Sequence, residues 1–263
     1  MHSCDIFFYN VGKQMGIDKI AYYATQAGLG KKTGIDLPGE ESGLIPSDDW
    51  KQRVYHQRWY PGETISVSIG QGAVTVTPMQ VAYTVGGIVL GGKFMQPHLI
   101  KDTQPAPEIN FPISESTVEA VTSGMWGVVN EAGGTAAASR LPGIEFGGKT
   151  GTAQTISLQG RQRSGQKAEF KDNAWFVGFA PRRNAEIVVA VLVQSGEHGS
   201  SAAAPIAKDI VKMYYDKKNG IKPEVLMTKG PSTTAVPGVV AAREGQAVEL
   251  APAEEQVPVA ADR

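Results

Sequence analysis

The sequence contains one cysteine, carries almost no net charge and has no long apolar run. A single cysteine, Cys4, excludes an internal disulfide and a cage of cysteine ligands around a metal. The 25 Lys and Arg residues nearly balance the 26 Asp and Glu residues, so no global field attracts nucleic acid or anionic lipid. No stretch approaches eighteen consecutive apolar residues, and the four histidines are scattered without ligand spacing. We therefore expect no membrane span, metal site or cofactor within this chain, and no nucleic acid among its partners.

The composition is that of a folded domain followed by a tail of different character. With 263 residues and 41% hydrophobic side chains, the chain can bury a substantial core. After about Pro223 the sequence turns to Pro, Ala, Val and Glu without any period, which is typical of disorder. We accordingly divide the chain into a folded part, residues 1–222, and a disordered tail, residues 223–263.

Several stretches of the folded part have the periodicity or the start signals of helices. Phe7, Val11 and Met15 recur every four residues and predict the buried stripe of a first helix. Thr77 and Pro78 predict the N-cap and first turn of a later one. The other predicted helices cover about residues 18–28, 114–130 and 201–218.

Three strand-like stretches follow one another in the second half, at about residues 144–155, 173–181 and 187–194. Short or polar connections join them, which predicts an antiparallel meander. The last stretch is apolar without alternation, so we expect an α/β fold with helices on both faces of the sheet. One of these is the helix at 201–218, in which Ile206, Ile210 and Tyr214 share a face. A further stretch at 64–72 also begins with strand-like alternation.

Lys149 stands between glycines in the first of these strands, within Gly-Gly-Lys-Thr-Gly-Thr. Glycine removes side chains beside the strand, so another extended chain could be added along its edge. Lys149, Thr150 and Thr152 would offer an ammonium group and two hydroxyls there, which suit a peptide ending in a carboxylate. An exposed edge lysine that prevents aggregation is the alternative interpretation.

The wider context of this lysine resembles the transpeptidase domain of class B penicillin-binding proteins. Lys149-Thr150-Gly151 matches the K-T-G motif, which accompanies S-x-x-K and S-D-N in serine β-lactamases and penicillin-binding proteins. Ser3-Cys4-Asp5 stands at a helix start in the place of the second motif. The likeness runs from about Ser3 to Lys218 and is carried, in order, by GLGKKTGIDLPGE, YPGETISVSIGQGAVTVTPMQVA, GGTAAA, KTGTAQ, NAWFVGFAP and AAAPIAKDI. The YPGET and IGQG segments are most similar to the elongation, or shape-determining, type, and a division-type relative is the near alternative.

The resemblance implies a site for acyl transfer. Family enzymes acylate an active-site serine with a D-Ala-D-Ala stem peptide, release the terminal D-Ala and pass the acyl group to an amine. Ser3 would help to carry the proton between nucleophile, lysine and leaving amine. Lys149 would act as the lysine of the third motif, and Thr150, Gly151 and Thr152 would form the substrate-binding segment. The two threonines would bind the terminal carboxylate, and the N–H of Thr152 would supply half of an oxyanion hole.

The sequence departs from the family pattern at two motifs. Asp5 replaces an asparagine; an ionised Asp accepts hydrogen bonds without donating them, so we assign it to holding a lysine rather than a substrate carbonyl. The S-x-x-K motif is not in its place, and we expect the nucleophilic serine and its lysine on sequence upstream of this chain. The formal match from Ser164 to Lys167 lies in a polar loop after the third motif, and we attribute it to chance. Cys4 is more typical of a small packed residue than of an attacking thiolate.

The resemblance also implies a place and partners for the parent protein. It would be anchored in the inner membrane by an N-terminal helix, with its catalytic domain outside the cytoplasmic membrane. It would bind stem peptides and β-lactams and work with a shape-and-elongation glycosyltransferase and an elongation-complex scaffold. We expect this chain to be inactive without its upstream half. The alternatives are a truncated, non-catalytic remnant with residual peptide or β-lactam binding, and a D,D-carboxypeptidase.

Overall fold

The structure is a computed structural model that describes residues 2–101, 109–155 and 171–222. The predicted tail at 223–263 and the match at 164–167 lie outside the described residues. The helices are α1 (Asp5–Met15), α2 (Ile17–Gln26), α3 (Asp48–Tyr55), α4 (Pro61–Val67), α5 (Pro78–Val89), α6 (Glu115–Asn130) and α7 (Ala204–Lys218). The strands are β1 (Lys93–Phe94), β2 (Ile109–Asn110), β3 (Gly147–Ala153), β4 (Asn173–Ala180) and β5 (Ile187–Val193).

The predicted meander is present as a three-stranded antiparallel sheet in the order β3-β4-β5. Lys149 is opposite Val177 on β4, and Trp175 is opposite Leu192 on β5. Helices α6 and α7 pack on one face of the sheet, and α5 packs on the other. The expectation of an antiparallel sheet between helices is therefore confirmed.

The core lies between the sheet and the α6–α7 layer. Phe146 and Phe176 are fully buried there, with ring centroids 5.8 Å apart. The side-chain amide of Asn130, at the end of α6, donates to the carbonyl of Phe146 at 2.7 Å. Because Phe146 directly precedes β3, this hydrogen bond fixes the entry of the strand that carries Lys149.

The stripe predicted to be buried on α1 is only partly buried, and the face of α7 noted in the sequence is not its buried face. Phe7 is exposed, and α1 instead approaches α4 through its buried Gly12, where an added Cβ would lie 2.4 Å from the Cβ of Ser68. The face of α7 formed by Ile206, Ile210 and Tyr214 is partly exposed; its buried residues are Ala204, Ala207 and Val211. In both cases close approach of the backbones selects the face with small side chains, and periodicity alone does not reveal this.

The strand-like stretch at 64–72 is also not a strand, because its first residues belong to α4. Pro61 occupies the first turn of α4. Proline lacks an N–H, and the N–H groups of the first turn make no hydrogen bond within the helix, so no bond is lost there. The carboxylate of Glu63 accepts a hydrogen bond from the N–H of Tyr60 at 2.9 Å and pairs with the buried Lys51. These helix-start features outweigh the strand-like alternation of polar and apolar residues that follows them. The predicted cap at Thr77 is present, with its hydroxyl accepting from the N–H of Gln80.

Candidate active site

Strand β3 forms one edge of the sheet, and its glycines are required because β4 and α6 pack closely against it. An added Cβ at Gly148 would meet the Phe176 ring at 2.3 Å, and one at Gly147 would approach the backbone of Trp126 at 3.1 Å. The prediction assigned these glycines to an added strand. The structure instead explains them by packing against β4 and α6.

The ammonium group of Lys149 is half-buried and hydrogen-bonded. Its Nζ donates to Ser3 Oγ at 2.7 Å and to the carbonyl oxygen of Thr150 at 2.5 Å. Burial lowers the pKa of Lys149 below its ordinary value, and the nearby Asp5 carboxylate opposes this by raising it. A lysine in this setting binds an anion and releases a proton more readily than one in water.

All six predicted site residues line one cavity of about 580 Å³. Ser3 and Asp5 come from the start of α1, whose contact with α4 at Gly12 places them in front of β3. Lys149, Thr150, Gly151 and Thr152 come from β3 itself. The structure thus brings together residues that are almost 150 positions apart in the chain, as the hydrogen bond from Lys149 to Ser3 shows.

Two residues of the site were not assigned a role from the sequence. Thr135, in the turn after α6, places its Oγ1 2.9 Å from Oγ1 of Thr150. Gln71, after α4, donates from its side-chain amide to the carbonyl oxygen of Thr152 at 3.0 Å. Both lie in segments that carry the family resemblance, GGTAAA and IGQG, but the resemblance assigned neither residue a role.

Cys4, the other candidate nucleophile among the described residues, does not line this cavity. Cys4 is exposed ahead of α1, so the expectation of a packed cysteine is wrong. In the described parts of the chain, no group of three or more His, Cys, Asp or Glu side chains is arranged to hold a metal. Among the described helices, none combines the length and the apolar character needed to cross a membrane.

The fold and the site together define a penicillin-binding transpeptidase domain. Residues 1–212 match the family described as "Penicillin binding protein transpeptidase domain". The chain therefore belongs to this family.

Curated proteins named as peptidoglycan D,D-transpeptidases are similar to most of this chain. "Peptidoglycan D,D-transpeptidase MrdA" of Acinetobacter baumannii is 38% identical over 248 residues, which cover 89% of this chain and 36% of that protein. The protein of the same name from Escherichia coli K12 is 34% identical over 75% of this chain and 33% of its own length. The chain thus spans about a third of the length of these curated relatives.

Solved structures similar to this chain are also of penicillin-binding proteins. Pseudomonas aeruginosa PBP2 in complex with WCK 5153 has a TM-score of 0.69 and 35% identity, covering 83% of this chain and 48% of that one. The complex of PBP2 with MreC from Helicobacter pylori has a TM-score of 0.72 and 31% identity, over 83% of this chain and 39% of that one. The resemblance to elongation-type class B penicillin-binding proteins is confirmed.

Proposed function

We propose that this chain is the part of a peptidoglycan D,D-transpeptidase that docks the substrate carboxylate and relays a proton. The observation that carries the proposal is the half-buried Lys149, hydrogen-bonded to Ser3 in a cavity also lined by Thr150 and Thr152. The parent protein would cross-link stem peptides during cell-wall elongation. The name of the MrdA relatives supports this reaction.

The proposed docking uses the edge of β3. The ammonium group of Lys149 and the hydroxyls of Thr150 and Thr152 would hold the terminal carboxylate of a D-Ala-D-Ala peptide. The carbonyl of Thr152 faces the open edge, where it accepts from Gln71. Within a strand the N–H and C=O of one residue point to the same side, so the N–H of Thr152 faces that edge as well. It is available as one donor of an oxyanion hole.

The proposed chemistry begins with a serine nucleophile supplied by the S-x-x-K motif upstream of this chain. Its hydroxyl would pass its proton to the lysine of the same motif while its oxygen attacks the carbonyl carbon of the penultimate D-Ala. The bond from that carbon to the terminal D-Ala nitrogen would then break, which leaves the acyl-enzyme and free D-Ala. Ser3 would deliver a proton to the leaving amine and regain one from Lys149. The lowered pKa of Lys149 favours that transfer. Asp5, whose charge acts on Lys149, would hold the lysines of the site in place.

We further propose that the parent protein is anchored in the inner membrane with this domain outside the cytoplasmic membrane. It would pair with a shape-and-elongation glycosyltransferase and with an elongation-complex scaffold. The structure of Helicobacter pylori PBP2 with MreC supports a scaffold partner, and a solved peptidoglycan synthase complex, 32% identical to this chain, supports a polymerase partner.

Labelling by a fluorescent penicillin tests the proposed function. The protein extended upstream through its next S-x-x-K motif should label, and this chain by itself should not. Lys149→Ala in the extended protein should slow acylation at least about 30-fold, since truncating one partner of a buried charge pair costs about 2 kcal/mol or more. Lys217→Ala, at the exposed end of α7, is the matched control and should label normally.

Labelling of the unextended chain would place a nucleophile within it, and Ser164, Cys4 and Ser3 would then be the candidates in that order. Unchanged acylation of Lys149→Ala would remove the carboxylate-docking role. An upstream sequence with a frameshift or stop instead of the motif would favour the truncated remnant.

A further inference from the structure

The side chain of Gln71 covers the open edge of β3 at two adjacent points. Its Nε2 donates to the carbonyl oxygen of Thr152 at 3.0 Å, and its Oε1 accepts from the N–H of Gln154 at 3.4 Å. Both partners are main-chain groups on the side of β3 away from β4. A side-chain amide has the same donor and acceptor as a peptide group, so Gln71 imitates one residue of a neighbouring strand.

Gln71 also lies where two cavities meet. It lines the cavity that contains Ser3 and Lys149, and it lines a second, more apolar cavity of about 480 Å³. The second cavity is bounded by Val74 and by the exposed face of the sheet at Trp175. Lys149, Thr150 and Thr152 line both cavities as well, so Gln71 lies within a groove that runs along the edge of β3.

The main chain of Gln71 is held by a hydrogen bond of its own, and its side chain is only partly buried. The N–H of Gln71 donates to the carbonyl of Ser66 at 3.0 Å, which holds the residue to the end of α4. Gly70 and Gly72 on either side have φ values of +75° and +73°, a conformation that glycine adopts without strain. Rotation of the side chain alone would uncover Thr152 and Gln154, without movement of the loop.

We propose that Gln71 is an intramolecular substitute for the substrate strand, which keeps the edge of β3 paired until a peptide displaces it. An extended peptide added to this edge needs the same carbonyl and N–H that Gln71 occupies. Gln71 therefore competes with the peptide and sets a threshold for its binding. The inference rests on the proposed function, because it takes β3 as the strand that receives the peptide.

The test is the affinity of this chain for a short acylated peptide ending in D-Ala-D-Ala, measured by NMR titration. Gln71→Met keeps the length of the side chain and removes both hydrogen bonds. Each bond has a net value of about 0.5–1.5 kcal/mol, and the two together about 1–3 kcal/mol, so their loss should tighten peptide binding roughly 5- to 160-fold. Gln52→Met, on the exposed side of α3, is the matched control and should bind as the unmodified chain does. Circular dichroism of each variant checks that the fold is retained.

A second variant separates this inference from the proposed function. If Lys149→Ala weakens binding while Gln71→Met leaves it unchanged or weakens it, the edge receives the peptide and the role of Gln71 is overturned. If the unmodified chain and Gln71→Met both fail to bind the peptide, the proposed docking and the role of Gln71 fail together. Tighter binding by Gln71→Met, with Gln52→Met unchanged, supports the proposal.

Discussion

Replacing Gly199 with alanine should disturb the site from behind β3. An added Cβ would lie 2.2 Å from the carbonyl oxygen of Trp175 and 2.6 Å from that of Gly151. Ordinary contact begins at 3.4 Å, so the nearest atom would have to move by about 1 Å. The obstacles are main-chain atoms of β3 and β4, which cannot rotate away as a side chain can. Overpacking of this kind costs about 1–3 kcal/mol or more, and we expect the upper end.

The assay for Gly199→Ala is thermal unfolding together with NMR of the strand amides. A loss of about 3 kcal/mol should lower Tm by about 6 to 12 °C in a domain of this size. Shifts should concentrate at the amides of Gly151 and its neighbours. The control is Gly124→Ala on α6, where an added Cβ meets nothing within 4 Å and should stabilise the helix by about 0.4–1 kcal/mol. A Gly199→Ala variant with the same Tm as the unmodified chain would contradict the predicted clash.

Two further predictions concern the polar groups of the site. The pKa of Lys149 in the folded protein lies below its ordinary value of 10.5, so between the two values the unfolded chain binds more protons than the folded one. The free energy of unfolding of the unmodified protein should therefore rise with pH in this range. Lys149→Met removes the titrating group and should reduce this rise. Urea unfolding from about pH 8 to 11 measures this, and parallel curves for the two proteins would contradict it. Thr135→Val removes the hydroxyl 2.9 Å from Thr150 and should weaken D-Ala-D-Ala peptide binding roughly 2- to 10-fold, with Thr135→Ser as the control that retains it.

Much of the fold could be predicted because its signals are local. The antiparallel meander follows from three short β-rich stretches with short or polar connections, and the cap at Thr77 follows from Pro78 at the next position. The faces of α1 and α7 could not be predicted in the same way. Gly12 and the alanines of α7 are buried because another backbone comes close, and that depends on the tertiary arrangement.

The site could be predicted only where a motif carried it. Lys149 and Ser3 were identified by their motifs, and the structure adds the 2.7 Å hydrogen bond between them. Gln71 and Thr135 lie in segments that carry the family resemblance, but their contacts could not be predicted because their partners on β3 lie 81 and 15 positions away. The influence of Asp5 on Lys149 is likewise a long-range property, because it requires α1 to pack in front of β3.

The most direct test of the account compares a peptide ending in D-Ala-D-Ala with the same peptide ending in a carboxamide. If Lys149, Thr150 and Thr152 bind the terminal carboxylate, the free acid should shift their NMR signals and the amide should bind at least about 30-fold more weakly, since it has no charge to pair with the ammonium group. Equal binding of the two peptides, or shifts located away from β3, would contradict the central claim.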